Sequence, residues 1–245
     1  MTPQRELRIA MWSGPRNIST AMMRSWGSRP DTAVCDEPLY AHYLSVTGLE
    51  HPGRAEVVAT HECDWRRVVA ELCGPIPGGK SIYYQKHMAH HLLPEIERGW
   101  LDGFAQAFLI REPLEMLTSL VKNVPQPRVE DTGLPQQVEL FEALRARVGV
   151  TPPVLDSRDV LENPRRRLGA LCESLGVPFD EAMLSWPAGR RATDGVWAKH
   201  WYATVEASTG FEAYKPKNEP LPAELRGLCD ECDRLYARLH AHRLT

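Results

Sequence analysis

The chain has little cysteine, no long apolar run and no excess of positive charge, and each shortage removes a class of protein. Six cysteines in 245 residues are too sparse for a disulfide scaffold and suit a reducing compartment. Cys229 and Cys232 form a C-x-x-C, but it lies inside a helical pattern with no second pair at zinc spacing. The clusters His87, His90, His91 and His240, His242 lack the H-E-x-x-H arrangement, so no metal is expected. No stretch approaches the roughly 18 apolar residues that span a bilayer, and the opening MTPQRELRIAMW is too polar for a secretory signal. Both absences point to the cytoplasm and away from membranes. The formal net charge of -3 argues against a nucleic-acid binder, which usually shows a basic balance.

What is present is an alternation of strand and helix patterns. Strand candidates begin at Leu7, Thr32, Ser81, Gln106 and Pro153, with helical patterns between them. That rhythm predicts an α/β fold, a mostly parallel sheet flanked by helices, read as a single domain over 1–245. The stretch 123–137 contains Pro125, Pro127, Gly133 and Pro135, which forbid a continuous element and predict a loop, either plain surface or a mobile lid over a substrate. From Pro222 to Leu244 the residues Leu225, Leu228, Cys232, Leu235 and Leu239 share one helical face. A C-terminal helix is expected there, packed on the core or on a second copy in a homo-oligomer.

Two segments carry chemistry. Arg8 to Thr20 reads as a short strand, a Gly14-Pro15 turn carrying Arg16, and a helix opened by Ser19 and Thr20. Such a turn aims backbone N–H groups and a positive helix end at one point, which suits a phosphate or sulfate. The pattern G-x-x-x-x-G-K-[ST] is not met, because its second Gly and its Lys fall on Ile18 and Ser19. The second segment is the apolar run Phe104–Ile110, followed by Arg111-Glu112-Pro113 and a helical pattern through Leu114, Leu117 and Leu120. Arg111 therefore stands at the carboxyl end of a strand, where open α/β sheets bind ligands. Ser119 follows about two helical turns later.

Together these segments resemble the sulfotransferases that use 3′-phosphoadenosine 5′-phosphosulfate (PAPS), leaving the product PAP. Arg111, Pro113 and Ser119 fit that family's R-x-P-x-x-x-x-x-S site. Arg16, Ser19 and Thr20 fit its first loop, with Pro15, Asn17 and Ile18 departing from the commoner core. The run Ser81–His87 matches the strand that ends in a Lys or His, and Val154–Pro164 matches a late strand and turn. The resemblance implies a P-loop-like fold and transfer of a sulfuryl group from PAPS to a hydroxyl or amine of a small-molecule or carbohydrate acceptor. It implies that Gly14, Arg16, Asn17, Ser19 and Thr20 hold the 5′ end, and Arg111 and Ser119 the 3′-phosphate. Lys199, in the place of the family's late closing loop, is a further expected phosphate contact; the alternative is that Trp197 and Trp201 pack one helix face and Lys199 meets solvent.

Arg16 is the loop's only cation, and a guanidinium serves as a fixed charge rather than a proton donor. An acceptor hydroxyl also needs a base. The resemblance offers His87 and Glu37, with His87 expected to act and Lys86 the neighbour to test next. Two other classes stay open, a nucleotide or small-molecule kinase of the same fold and a nucleotide-binding protein without turnover.

Overall fold

Apolar segments bounded by turn residues form strands when a sheet buries both of their faces. In the computed structural model, which describes residues 6–216 and 219–245, five such segments pair. They are β1 (Leu7–Ser13), β2 (Thr32–Asp36), β3 (Ile82–Met88), β4 (Ala105–Ile110) and β5 (Val154–Asp156). All pairings are parallel, and the order is β2-β3-β1-β4-β5. Each strand starts within one residue of its expected position. Between the strands run α1 (Ser19–Gly27), α2 (Tyr40–Thr47), α3 (Arg54–Thr60), α4 (Trp65–Cys73), α5 (Pro113–Leu120) and α6 (Leu134–Val148). After β5 come α7 (Ser157–Glu162), α8 (Pro164–Ser174), α9 (Ala198–Trp201), α10 (Ala203–Ala207) and α11 (Arg226–His240).

The strand period of two sends alternate side chains to two separate cores. On one face Ala10, Trp12, Tyr83 and Phe108 pack with Val68 and Leu72 of α4 and Phe141 and Leu144 of α6. On the other, Ile9, Met11, Tyr84 and Leu109 pack with Met22, Met23 and Trp26 of α1 and Leu168 and Leu171 of α8. No helix of the described residues is long and apolar enough to cross a membrane.

Two expected boundaries move. The 123–137 stretch contains a 3-10 turn at Val129–Thr132, and α6 begins inside it at Leu134. Pro135 does not prevent this, because the first turn of a helix has N–H groups without intrahelical partners. The C-terminal helix is Arg226–His240 rather than 222–244, preceded by a 3-10 turn at Ala223–Leu225, and packs on α5 and α6.

Because β1 lies between β3 and β4, the chain leaves its carboxyl end for β2 on one side and later crosses to β4 on the other. Ligands bind at such a switch point in open α/β sheets. The segment before α9 is tied there by a buried ion pair, in which Arg24 of α1 donates to both oxygens of Asp194 at 2.5 and 2.6 Å. Both side chains are essentially sealed from solvent. Removing one partner strands a buried charge, so Asp194→Ala is expected to cost about 3–5 kcal/mol in urea unfolding; a loss below about 1 kcal/mol would show that Arg24 finds other partners.

Candidate active site

A cavity of about 690 Å³ opens at the carboxyl edge of the sheet. Its wall on the β4 side is built by the β1–α1 turn, Arg111 and α5. The same turn meets on the β3 side a wall built from the ends of β2 and β3. Arg16 and Glu37 are the only non-glycine residues with positive φ among the described residues, at 55° and 45°. Such backbone strain persists where surroundings enforce it, typically at functional sites.

The turn is held from below. Asn17 Nδ2 donates to the Leu109 carbonyl at 3.0 Å, while its Oδ1 accepts from the Ile18 N–H at 2.8 Å and from the Ser157 hydroxyl. The Asn17 side chain is thus spent on bracing the turn. Gly14 has no room for a side chain, since a Cβ there would lie 2.3 Å from the Thr132 carbonyl oxygen. The first turn of α1 has no acidic residue and no capping side chain, which leaves its N–H groups to a ligand. Ser19 and Thr20 line the cavity beside it.

Arg16 Nε donates to Ser119 Oγ at 2.9 Å, and Arg111 Nη1 donates to the Arg16 carbonyl at 2.6 Å. Burial and the neighbouring Arg111 both lower the Arg16 pKa. Two guanidinium groups so close concentrate positive potential on one wall, an arrangement that an anion relieves. Arg111 is also paired with Glu115 at 2.9 Å, a carboxylate that accepts from the Tyr214 hydroxyl at 2.6 Å. Arg16, Ser19, Thr20, Arg111 and Ser119 thus all come to one place, with Ser119 held by Arg16.

The opposite wall carries a buried polar cluster. Asp36 and Lys86 are register partners on neighbouring parallel strands, so their side chains share a face. Lys86 Nζ donates to Asp36 Oδ1 at 2.9 Å, Glu37 Oε1 at 2.6 Å and the Tyr202 hydroxyl at 2.5 Å. Tyr202 donates in turn to the Asp36 carboxylate at 2.8 Å. Burial works against the Lys86 charge, but Asp36 and Glu37 together raise its pKa well above the ordinary value. Glu37 is raised too, because burial outweighs the attraction of Lys86. Glu37, Lys86 and Tyr202 all line the cavity.

Two expected residues lie elsewhere. His87 points to the other face of the sheet, stacked on Trp12 at 4.5 Å and bonded through Nε2 to Gln85 at 3.1 Å. It is 1% exposed, is not part of the cavity wall, and is pushed down to about 3 by burial. The expectation that it is the base is therefore corrected. The one-residue step from Lys86 to His87 turns the side chain through the sheet. Lys199 stands on the outside of α9, ion-paired with Glu56 and away from the cavity; Trp197 is buried instead, as the alternative had it. Sequence reasoning missed Tyr202 and Asp36. Asp36 left one signal, a carboxylate closing an otherwise apolar strand.

A family model described as "Sulfotransferase domain" matches residues 7–238. The chain is 36% identical over 234 residues to branched-chain-amino-acid aminotransferase-like protein 1 of Arabidopsis thaliana, covering 96% of this chain and 42% of that protein. It is 34% identical to the like-named protein 2 of the same plant, covering 96% and 41%. The chain spans less than half the length of these curated relatives. Among solved structures, a sulfotransferase domain from the curacin biosynthetic pathway superposes with a TM-score of 0.56 at 15% identity, covering 99% of this chain and all of that one. A sulfotransferase domain from the Synechococcus PCC 7002 olefin synthase gives 0.53 at 19%, covering 97% of each. These two likenesses concern the fold.

The burial of His87 has a measurable consequence. A histidine in the unfolded chain gains a proton below about pH 6.5, while folded His87 stays neutral down to about 3. Stability is therefore lost as pH falls through that window, by about 1.4 kcal/mol per pH unit for each such histidine. His87→Phe, which keeps a ring against Trp12, is expected to flatten the pH dependence of the urea midpoint by that contribution. An unchanged slope would mean that His87 reaches solvent.

Proposed function

The chain belongs to the sulfotransferase domain family, and from that membership we propose that it transfers a sulfuryl group from PAPS to a hydroxyl or amine of a small-molecule or carbohydrate acceptor. One observation carries the reading: a single cavity has two guanidinium groups on one wall and a base-competent carboxylate on the other. The residues fit the donor. Arg16, Arg111, Ser119, Ser19, Thr20 and the open N-terminus of α1 supply the positive charge and donors that a nucleotide with phosphates at both ends requires. Bound there, PAPS supplies an activated sulfuryl group on a phosphate oxygen.

The chain's own part is positioning and charge. Arg16 presents a fixed cation where negative charge develops on the leaving oxygen, and the turn's N–H groups hold it without reorganisation. Arg111 and Ser119, on the β4 side of the same wall, take the 3′-phosphate, which gives the donor one orientation. Glu37 accepts the proton of the acceptor hydroxyl at a carboxylate oxygen, while Lys86, itself held by Tyr202 and Asp36, fixes that carboxylate in place. Pro38 and the positive φ of Glu37 turn the chain away immediately after the carboxylate.

PAP is expected to raise the melting temperature of the wild type through binding to the native state alone. Arg111→Ala is expected to remove much of that rise while leaving the smaller rise from adenosine 5′-phosphosulfate, which lacks the 3′-phosphate; equal losses would make Arg111 a structural residue only. Glu115→Gln, which removes the carboxylate competing for Arg111, is expected to tighten PAP binding in the same assay.

The base has its own test. Glu37→Gln is expected to lower turnover of labelled PAPS by about 10²–10⁴-fold with PAP affinity retained. Since the base must be ionised, the rate should fall as pH drops through the raised Glu37 pKa. Lys86→Met, which removes the neighbouring positive charge, should move that acid limb to higher pH. A rate insensitive to Glu37→Gln would exclude it as base.

A further inference from the structure

We propose that the acceptor is a ring-bearing hydroxyl compound with no anionic group, held between Glu37 and the 49–52 loop. The proposal rests on the sulfotransferase reading above and narrows its acceptor. Direction comes first. The donor residues Arg16, Arg111 and Ser119 sit at β1 and β4. Glu37 sits at the end of β2, followed at once by α2, and His90 and His91 directly follow β3. The acceptor must therefore approach from the β2–β3 side, past the first turn of α2.

That end is walled by rings. Tyr40 stacks on His91 with centroids 4.7 Å apart and an interplanar angle of 10°, and meets the edge of Trp197 at 5.2 Å. Tyr43 lies 5.3 Å from His90, edge on, and 4.7 Å from His91. The Tyr40 hydroxyl bonds to His51 Nδ1 at 3.0 Å, which joins the 49–52 loop to the same wall. Rings of this kind favour a flat or apolar ligand body, through burial and through offset or edge-on ring contacts.

Charge sets the second half of the class. Burial lowers the pKa of all three histidines, His90 to about 3, so the rings are neutral. The cations lining the cavity are Arg16, Lys86, Arg111 and Lys215. Arg16 and Arg111 form the donor wall, and Lys86 is occupied by Asp36 and Glu37. Lys215 adjoins Tyr214, whose hydroxyl reaches Glu115 of α5 beside Arg111. The remaining charges at the acceptor end are Glu50 and Asp131; each has one arginine near its edge, Arg54 at 3.9 Å and Arg128 at 3.6 Å. An anionic acceptor would lose its hydration against neutral rings and carboxylates with no cavity-lining cation in return. A neutral alcohol or phenol, or one carrying an ammonium group that can face the rings, meets no such opposition.

Three probes share one phenolic hydroxyl and differ in charge: tyramine, 2-(4-hydroxyphenyl)ethanol and 4-hydroxyphenylacetate. Their dissociation constants are measured by calorimetry on the whole chain, with and without saturating PAP. The neutral and cationic probes are expected to bind at least about tenfold more tightly than the anionic one. Glu50→Lys, on a side chain that is 87% exposed, should narrow that gap severalfold by strengthening the anionic probe alone. Binding of the anionic probe equal to or tighter than the others, or no binding of any of the three, would overturn the proposal. The melting shift by PAP in the same samples reports on the donor site separately. A PAP shift with a reversed probe order would reject the acceptor class and leave the donor reading intact; a normal probe order without a PAP shift would do the opposite.

Discussion

An ammonium group sealed from water remains charged only if carboxylates stand against it with every proton bonded, and Lys86 meets both conditions. Its three N–H groups reach Asp36, Glu37 and Tyr202, residues from the end of β2 and from the segment after α9. The cluster therefore fixes the relative position of two strand ends and a distant part of the chain. The Gly195 N–H donates to Asp36 Oδ2 at 3.2 Å, and the Trp197 indole donates to the Tyr202 hydroxyl at 3.2 Å. Next to them Asp194 holds Arg24 of α1. Packing, charge and the wall of the cavity are in this way one structure. It also sets the chemistry of Glu37, whose carboxylate is raised by burial yet kept in place by the lysine.

The wall with Arg16 and Arg111 follows a different logic. There the positive groups are only partly compensated, and the two guanidinium groups share the space around Ser119 and the Arg16 carbonyl. The strained backbone at Arg16 and at Glu37 stands on the two walls of the cavity. Between them in the sheet lies β3, and Arg16 follows β1, the strand from which the chain departs to both sides of the sheet.

Much of this was legible in the residues. Apolar runs bounded by turns located all five strands, and the turn at 14–18 together with Arg111 and Ser119 located the cationic wall of the cavity. These features are local, and each is written in a few consecutive positions. The choice between the two candidate bases, His87 and Glu37, was not legible, because Lys86 and His87 are adjacent in a strand and only the sheet decides which face meets the cavity. That decision depends on the pairing of β3 with β2, which sets Asp36 opposite Lys86. Lys199 failed for a similar reason. The four residues of α9 turn Tyr202 inward and Lys199 outward, a phase that a motif-level match does not carry.

The central claim is that one cavity at the switch point orients a nucleotide phosphosulfate from Arg111 toward Glu37. A crystal structure of the chain with PAP tests it most directly. The account predicts the 3′-phosphate within about 3 Å of Arg111 and Ser119 donors. It places the 5′-phosphate on the 14–20 turn beside Arg16, its free oxygens facing the Glu37 side of the cavity. A nucleotide bound with its ends reversed, or outside this cavity, would contradict it.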